Sequence, residues 1–552
     1  MERKASAGMA DLGSVRAGKT EKPEKPEKPE KPGKTGKTEK TEKTEKTEKP
    51  ERIDWASWLG ERLPAPPEDW LARERAERLQ DLEELAWLLD SARSKLALFI
   101  QMYPERRFEQ GLGDVFGREL EALEARRRQY ERDPLACDLD AYLTIKYELR
   151  LLHKQLGAVV EGSDWQSPGK RLGHNGGQSA ELGFAQSEEN TYERSYGSDA
   201  VKSYEARALR AWYGIEGELA RQSLGLMTTS GMKALELALF GCKGAMGDLP
   251  FYCQEGLYGE GAELAKLILP QTEELGPDAL YTRLEQGQSV GGVLVDPGCS
   301  WPVRPPVDLG RLMQLICVHR QSEPLYVIVD RTFTTIANPI FTRYVDRLPP
   351  HVTLICIESA IKYLQYGLDL ANAGFLTAAG ARMRDEEERQ RWIDLLALLD
   401  AGVAPLTVRQ LPDPDETRLT TRLARINRNA RLLASFLEHQ RLAGRISDYC
   451  TTVPHSADYL LAGEPWHGAV AYIRVPGVED EAEVQRRIDA FVHRAPEGSH
   501  FVSGGSFGFD TFRMNAVSGE QGAEAALRIS VGREPILQLL TKLRHIDREL
   551  LQ

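Results

Sequence analysis

The stretches LYVIVDRTF (residues 325–333) and HVTLICIESAIKY (residues 351–363) decide the fold. Each begins with a run of β-branched and aliphatic residues of strand length and then turns polar or charged. Two similar runs, VGGVLVDPG (residues 290–298) and AGFLTAA (residues 373–379), lie on either side of them. Short apolar strands that alternate with helical stretches predict an α/β domain with a mostly parallel sheet.

Five parts are predicted along the chain. Residues 1–52 carry a lysine at every third position from Lys19 to Lys49, with repeated proline and almost nothing apolar, which predicts a disordered tether. Residues 53–160 are predicted to form a helical accessory unit, and 161–190 a linker rich in Gly, Ser and Asn. Residues 191–380 are predicted to form a large α/β domain, and 381–552 a smaller C-terminal α+β domain.

The helical unit is predicted from apolar residues three and four positions apart. Leu79, Leu82, Leu89 and Ile100 belong to such a series and are expected on one stripe of a helix. The GLGD of residues 111–114 and the DP of residues 133–134 are expected to separate the helices. The result would be a hairpin or small bundle that packs on the next domain, supports assembly or docks a protein partner.

Composition excludes several classes of function. The net charge of −12 argues against nucleic acid as the main partner. The sequence contains no run of eighteen uncharged apolar residues, so no membrane span is predicted. The first residues lack the apolar core of a secretory signal. The seven cysteines form no CxxC pair, which favours the reducing cytoplasm. The ten histidines show no close metal-ligand spacing, so no metal site is predicted.

Three elements carry chemistry. TTSG (residues 228–231) stands where a helix would begin, and the free N–H groups of a helix start can cradle a phosphate. Asp330 ends a strand, where α/β sheets place their ligands. Lys362 follows a strand, and burial would depress its pKa and make it a nucleophile or base. Taken singly, each also has an ordinary interpretation: two helix caps and a surface lysine.

Together, the order of cradle, aspartate and lysine is that of a pyridoxal 5′-phosphate (PLP) site of the aspartate-aminotransferase superfold. Lys362 would hold the cofactor as a Schiff base. Asp330 would keep the pyridine nitrogen protonated, so that the ring can withdraw electrons. The phosphate would lie on the cradle.

Six motifs make a family resemblance specific, in chain order. They are TYERSYGSDA (residues 191–200), SGM (230–232), LYGEG (257–261), VDRTF (329–333), SAIKY (359–363) and LRISVGRE (527–534). From Tyr192 to about Leu543 the chain resembles the PLP enzymes of Cys/Met metabolism, the cystathionine γ-lyase and γ-synthase family. The resemblance implies PLP-dependent transferase fold type I and covers about two thirds of the chain.

The resemblance also implies a role for each matching residue. Tyr192 and Arg194 would reach the cofactor phosphate of a neighbouring subunit, giving a homodimer or homotetramer with shared active sites. The phosphate would be bound by Ser230, Gly231, Met232 and Ser359. Tyr258 would stack on the cofactor ring and move protons, and Arg528 would hold the substrate carboxylate as a bidentate pair.

Three departures from the family pattern leave the reaction branch open. Ile361 replaces a threonine, QYGLD (residues 365–369) keeps only Asp369 in phase, and Trp301 stands before Pro302 where the family has an asparagine. The predicted reaction is β- or γ-elimination or replacement on an L-amino acid that carries sulfur or oxygen, with Lys362 as the base at Cα. An aminotransferase and a catalytically inactive PLP-fold scaffold remain as alternatives.

Overall fold

The computed structural model describes residues 69–102, 107–161, 199–298, 301, 304–452, 460–461, 463–474, 477–478, 480–496, 498–518 and 525–551. The predicted tether and all but the first residue of the predicted linker lie outside these ranges, as do Tyr192 and Arg194. Within them, no helix is both long enough and apolar enough to cross a membrane.

The described helices and strands follow one another as the sequence pattern predicts, helical first and then mixed. The α-helices are α1 (Trp70–Met102), α2 (Arg107–Glu131), α3 (Leu139–Glu161), α4 (Asp199–Tyr213), α5 (Gly217–Arg221), α6 (Gly231–Met246), α7 (Gly259–Ile268), α8 (Pro277–Glu285), α9 (Leu309–Val318), α10 (Ile340–Tyr344), α11 (Glu386–Leu398), α12 (Pro405–Gln410), α13 (Glu416–Leu442), α14 (Glu481–Arg494) and α15 (Ile536–Glu549). The strands are β1 (Ser223–Thr228), β2 (Phe251–Gln254), β3 (Thr272–Leu275), β4 (Gly292–Val295), β5 (Leu325–Asp330), β6 (Val352–Ser359), β7 (Gly374–Ala379), β8 (Asp448–Thr451), β9 (Leu460–Leu461), β10 (Glu464–Pro465), β11 (Val470–Arg474), β12 (Val502–Ser503), β13 (Arg513–Val517) and β14 (Ala526–Ser530).

The large sheet confirms the predicted α/β architecture. In the described part of the chain it has the strand order β1-β7-β6-β5-β4-β2-β3. The neighbouring strands β3, β2, β4, β5 and β6 are parallel to one another, and β7 is antiparallel to both β6 and β1. Helices cover both faces: Val327 and Val329 belong to one apolar cluster, and Ile328 between them belongs to the other. Burial on both faces explains why these strands are continuously apolar.

The C-terminal region has the predicted α+β character. Its sheet, as far as the structure describes it, runs β12-β13-β14-β11-β8. The helices α13, α14 and α15 supply its apolar cover through residues such as Leu423, Ile488 and Leu539. The predicted strands AVAYIRV and ALRISVG appear as β11 and β14.

The helical unit, α1 to α3, differs from the sequence prediction in two ways. The predicted break at GLGD is wrong, because α2 runs through it from Arg107 to Glu131. Gly113 lies against α1, where an added Cβ would stand 3.2 Å from Ile100 Cγ1, so close helix contact accounts for a glycine there. The predicted stripe is also partly wrong, since Leu79 and Ile100 are 40% and 44% exposed. The break at residues 133–134 is confirmed by the 3₁₀ turn Pro134–Ala136.

A buried row of acidic residues on α1 joins the helical unit to the C-terminal region. Glu74, Glu77, Asp81 and Glu84 are three, four and three positions apart, so they share one face of the helix. We call these four residues the acidic ridge. The carboxylates of Glu74 and Glu77 accept hydrogen bonds from the backbone N–H groups of Leu537 and Ile536, each at 2.8 Å, and so cap the start of α15.

Buried cations of the C-terminal region pair with the acidic ridge. Arg425 Nη1 lies 2.6 Å from Asp81 Oδ1, and Arg533 bridges Asp81 and Glu84. From α3, Lys146 reaches Glu84 at 2.6 Å. The helical unit thus packs on the C-terminal region, and each of these charges would be costly to bury without its partner.

We predict that Glu84→Ala lowers the free energy of unfolding by about 3–5 kcal/mol, because it removes one of the two counter-charges of Arg533 and of Lys146 and leaves the buried cluster with excess positive charge. Chemical denaturation followed by circular dichroism measures the change. Glu83→Ala is the matched control, since Glu83 is the exposed neighbour on the same helix. Equal stabilities for the two variants would contradict the structural importance of the ridge.

Candidate active site

Lys362 lies in the turn that follows β6, at the carboxyl edge of the parallel sheet. Its Nζ donates a hydrogen bond to Ser506 Oγ at 2.7 Å and stands 5.3 Å from the centre of the Phe507 ring. Burial, followed by the positive charges of Arg528 and Arg513, lowers the pKa of the Lys362 amine to about 8. The lysine is therefore a half-buried amine of weakened basicity, and not a surface lysine.

Asp330 ends β5 beside the Lys362 turn. Its Oδ1 accepts a hydrogen bond from the backbone N–H of Thr332 at 2.8 Å. Burial raises its pKa, while the hydrogen bonds with Thr332 and the charge of Lys362 act in the opposite direction. The structure thus brings two of the predicted residues, Asp330 and Lys362, within electrostatic reach of each other.

A second aspartate lies at the same edge and was missed in the sequence analysis. Asp296 follows β4, and its Oδ1 accepts a hydrogen bond from the N–H of Gly298 at 2.8 Å. Burial, followed by the charge of Asp330, raises the pKa of Asp296 well above its usual value. The sequence feature that could have identified Asp296 is an apolar run that ends in aspartate, which is the kind of feature that indicated Asp330.

Close backbone contacts surround the start of α6, where the phosphate cradle is predicted. Ser230 caps this helix, and its side chain accepts from the N–H of Lys233 at 3.1 Å. A Cβ on Gly231 would lie 2.9 Å from Ser359 Cβ, and a Cβ on Gly374 only 2.4 Å from the Ser230 carbonyl. The cap interpretation of Ser230 is confirmed, and the cradle stays a prediction.

Other groups extend this site. The Ser359 N–H donates to Thr332 Oγ1 at 3.1 Å, which joins the cradle to the Asp330 turn. Met232 is the second residue of α6 and is half-buried. Three chain segments that are distant in sequence thus converge at one helix N-terminus, where backbone N–H groups favour an anion.

Tyr258 and Arg528 lie on different sides of the same site. Tyr258 precedes α7 and is 48% exposed, and burial together with the Glu260 carboxylate raises its pKa to about 12. Arg528, on β14, acts electrostatically on both Tyr258 and Lys362. Its buried Nε has no hydrogen-bond partner among the described residues. A half-buried guanidinium with spare donors suits a carboxylate ligand.

The loop before β13 is a further part of the site that sequence reasoning did not single out. It carries Ser506, and its Gly508 has φ +86°, with an added Cβ only 2.1 Å from the Lys362 carbonyl oxygen. Arg513 donates to the Gly505 carbonyl at 3.2 Å. The available signal was the glycine-rich GGSFGFD of residues 504–510.

The three departures from the family pattern have separate positions. Trp301 packs on Tyr472 of β11, with ring centres 5.6 Å apart. Ile361 is half-buried beside Lys362. Asp369 is exposed, and its charge raises the pKa of Lys362 against the larger opposing effects.

Comparison with known proteins gives one curated relative and a set of solved structures. No family model matches the chain. The bifunctional enzyme flvA of Aspergillus flavus is 26% identical over 273 residues, which are 48% of this chain, and the chain spans 31% of that protein's length.

Among solved structures, cystathionine gamma synthase from Xanthomonas oryzae is 22% identical with a TM-score of 0.47, covering 65% of this chain and 87% of that one. Cystathionine gamma-lyase from yeast is 18% identical with a TM-score of 0.48 over 65% and 87% of the two chains. A putative O-acetylhomoserine (thiol)-lyase from Campylobacter jejuni, solved with a pyridoxyl-lysine phosphate, is 17% identical with a TM-score of 0.48 over 68% and 92%. The description of the fold rests on the strand order of the chain itself.

We predict that amine-reactive labelling of Lys362 has a midpoint near pH 8, because only the neutral amine reacts. Arg528→Gln should raise this midpoint by removing a positive charge that disfavours the ammonium form. Competitive labelling over a pH series, with mass spectrometry of the Lys362 peptide, measures both. The matched control is Arg431→Gln, which removes an exposed arginine paired with Glu464. A midpoint near that of a free lysine peptide would show that the amine is not perturbed.

Proposed function

We propose that this chain is a PLP-dependent enzyme that eliminates or replaces a substituent at the β or γ carbon of an L-amino acid carrying sulfur or oxygen. The observation that supports it is the convergence of a lysine of lowered pKa, a half-buried aspartate and a helix-start cradle at one edge of the sheet. The six sequence motifs, which resemble those of the Cys/Met-metabolism enzymes, support the same chemistry.

The residues present fit this cofactor. The close approach of Gly231 and Gly374 to Ser359 and Ser230 is possible only without a side chain at either glycine. It brings Ser230 and Ser359 together at the N-terminus of α6, where backbone N–H groups would bind a phosphate. Asp330 would pair with the ring nitrogen, and Tyr258 would lie on the ring. Lys362 would be the residue that binds the cofactor covalently.

When bound, the cofactor supplies an electron sink for negative charge at Cα. Arg528 would bind the substrate carboxylate, and Lys362 would remove the proton from Cα. With a pKa of about 8, roughly one-tenth of such an amine is neutral at pH 7, against roughly one part in 3,000 at the ordinary lysine value. For γ chemistry the same amine would take a second proton from Cβ, and Tyr258 would exchange protons with the entering or leaving group.

Two separate experiments test this function: borohydride reduction of one sample, and deuterium exchange with the unreduced enzyme. We predict a visible absorbance that reduction abolishes, with the adduct on Lys362. In deuterated water, cystathionine or an O-acylated homoserine should acquire deuterium at Cα and Cβ if γ chemistry operates, and should yield 2-oxo acid and ammonia without an amino acceptor if elimination follows. Lys362→Ala should lose exchange at Cα by at least about a hundredfold.

The matched control is Lys266→Ala, an exposed lysine that pairs with Glu274. A reduced adduct on another lysine would refute the cofactor assignment. A strict requirement for an amino acceptor would favour the aminotransferase alternative, and cofactor binding without any exchange would favour the scaffold.

We further propose that the active site is shared between subunits, with Tyr192 and Arg194 of one chain reaching the phosphate in the other. The support is the motif TYERSYGSDA alone. Mixing inactive Arg194→Ala and Lys362→Ala chains should restore about a quarter of the wild-type activity in a dimer, because half the dimers are mixed and each holds one intact site. Mixed dimers without activity, or a fully active monomer, would contradict sharing.

The compartment proposed for the chain is the reducing cytoplasm. All six cysteines that the structure describes are free thiols, which supports it.

A further inference from the structure

The backbone turn that follows Lys362 has an unusual conformation. Tyr366, Gly367 and Asp369 all have left-handed φ angles, of +54°, +78° and +48°. This region is unfavourable for residues other than glycine, and it persists only where surrounding contacts impose it. The turn also carries Asp369, whose charge acts on both Lys362 and Arg513.

The contacts on this turn come from the helical unit. Lys146 Nζ, on α3, donates to the Tyr366 carbonyl at 2.6 Å. One helical turn further along, Arg150 donates through Nε to the Leu368 carbonyl at 2.6 Å and through Nη2 to the Asp369 carbonyl at 2.9 Å. Three of the four carbonyls between residues 366 and 369 are therefore held by two side chains of α3.

The ring of Trp87 on α1 meets the Tyr366 ring edge-on, with their centres 4.7 Å apart. Two helices of the unit, α1 and α3, thus contact the same short turn. Packing and hydrogen bonding together account for the left-handed backbone there.

A second path leads from the same lysine to the other side of Lys362. Lys146 pairs with Asp510 at 2.8 Å, and Asp510 pairs with Arg422 at 2.7 Å. Arg422 Nη2 then donates to the Gly508 carbonyl at 2.9 Å. Gly508 packs directly on the Lys362 backbone, and Ser506 in the same loop binds the Lys362 amine. Both segments that surround Lys362 are thus linked to α3.

We propose that the helical unit is a brace for the active-site lysine, in which Lys146 and Arg150 are positioning residues that fix the turn at residues 366–369. The proposal concerns how Lys362 is held, and it rests on the proposed function only in taking Lys362 as the reactive amine. In this proposal the N-terminal helices act on the active site of their own chain through the turn at residues 366–369. Through this turn, the charge of Asp369, which raises the pKa of Lys362 against the larger opposing effects, is kept in place.

Arg150→Met tests the brace without removing a charge from the buried ionic cluster around Lys146. Hydrogen exchange reads the turn directly, because the N–H groups of Tyr366, Leu368 and Leu370 are hydrogen-bonded to Tyr363, Gln365 and the Gln365 side chain. We predict that exchange at residues 364–370 becomes at least about tenfold faster while exchange in β5 is unchanged. Because the charge of Asp369 raises the pKa of Lys362, displacement of this turn should lower the labelling midpoint of Lys362 below about 8.

Arg126→Met is the matched control, since Arg126 belongs to the same unit and, within the described part of the chain, pairs with Glu148 in α3 at 2.7 Å. Arg150→Lys should restore part of the protection, because an ammonium group can still reach one of the two carbonyls. A merely structural role for Arg150 would lower overall stability without a local change at residues 364–370.

The brace is refuted if Arg150→Met and Arg126→Met have the same exchange at the turn and the same Lys362 midpoint. These readouts need no cofactor. An adduct that maps away from Lys362 would refute the proposed function and would leave the measurement of the turn intact.

Discussion

The structure depends on burying the acidic ridge of α1 against cations of the C-terminal region. Asp81 and Glu84 are almost fully buried, and so are Arg425 and Arg533, which pair with them. Desolvating such groups costs several kcal/mol for each ion, and only close pairing offsets that cost. The helical unit and the C-terminal region are consequently parts of one compact unit. The charges on each surface are paired only while the two surfaces are in contact.

The electrostatic balance at Lys362 follows from this arrangement. Burial and two arginines, Arg528 and Arg513, favour the neutral amine, whereas Asp369 and Asp330 favour the charged one. Arg528 and Arg513 project from neighbouring strands of the C-terminal sheet, while Asp330 belongs to the large sheet. Charges from both sheets therefore act on the lysine, in addition to burial, which is the largest cause of its lowered pKa.

Sequence patterns predicted the individual elements well where one local signal decided the outcome. The apolar runs at residues 325–330 and 352–359 became β5 and β6, since continuous β-branched stretches suit a doubly covered sheet. Local rules failed at GLGD, because the close approach of α1 favours glycine within α2. The same local rule would have identified Asp296, which follows an apolar run as Asp330 does and whose pKa is raised first by burial and then by the charge of Asp330.

The sequence by itself determined which residues stand at the ends of which strands, and so placed Asp330, Ser359 and Lys362 at one edge of a parallel sheet. Their order along the chain also indicated the cofactor proposed for them. Only the tertiary structure decided what surrounds them: Ser506, Arg513, and the contacts from Lys146 and Arg150. These contacts join residues more than a hundred positions apart, and no periodicity or local motif encodes such a pairing, because it arises from how whole helices and sheets pack.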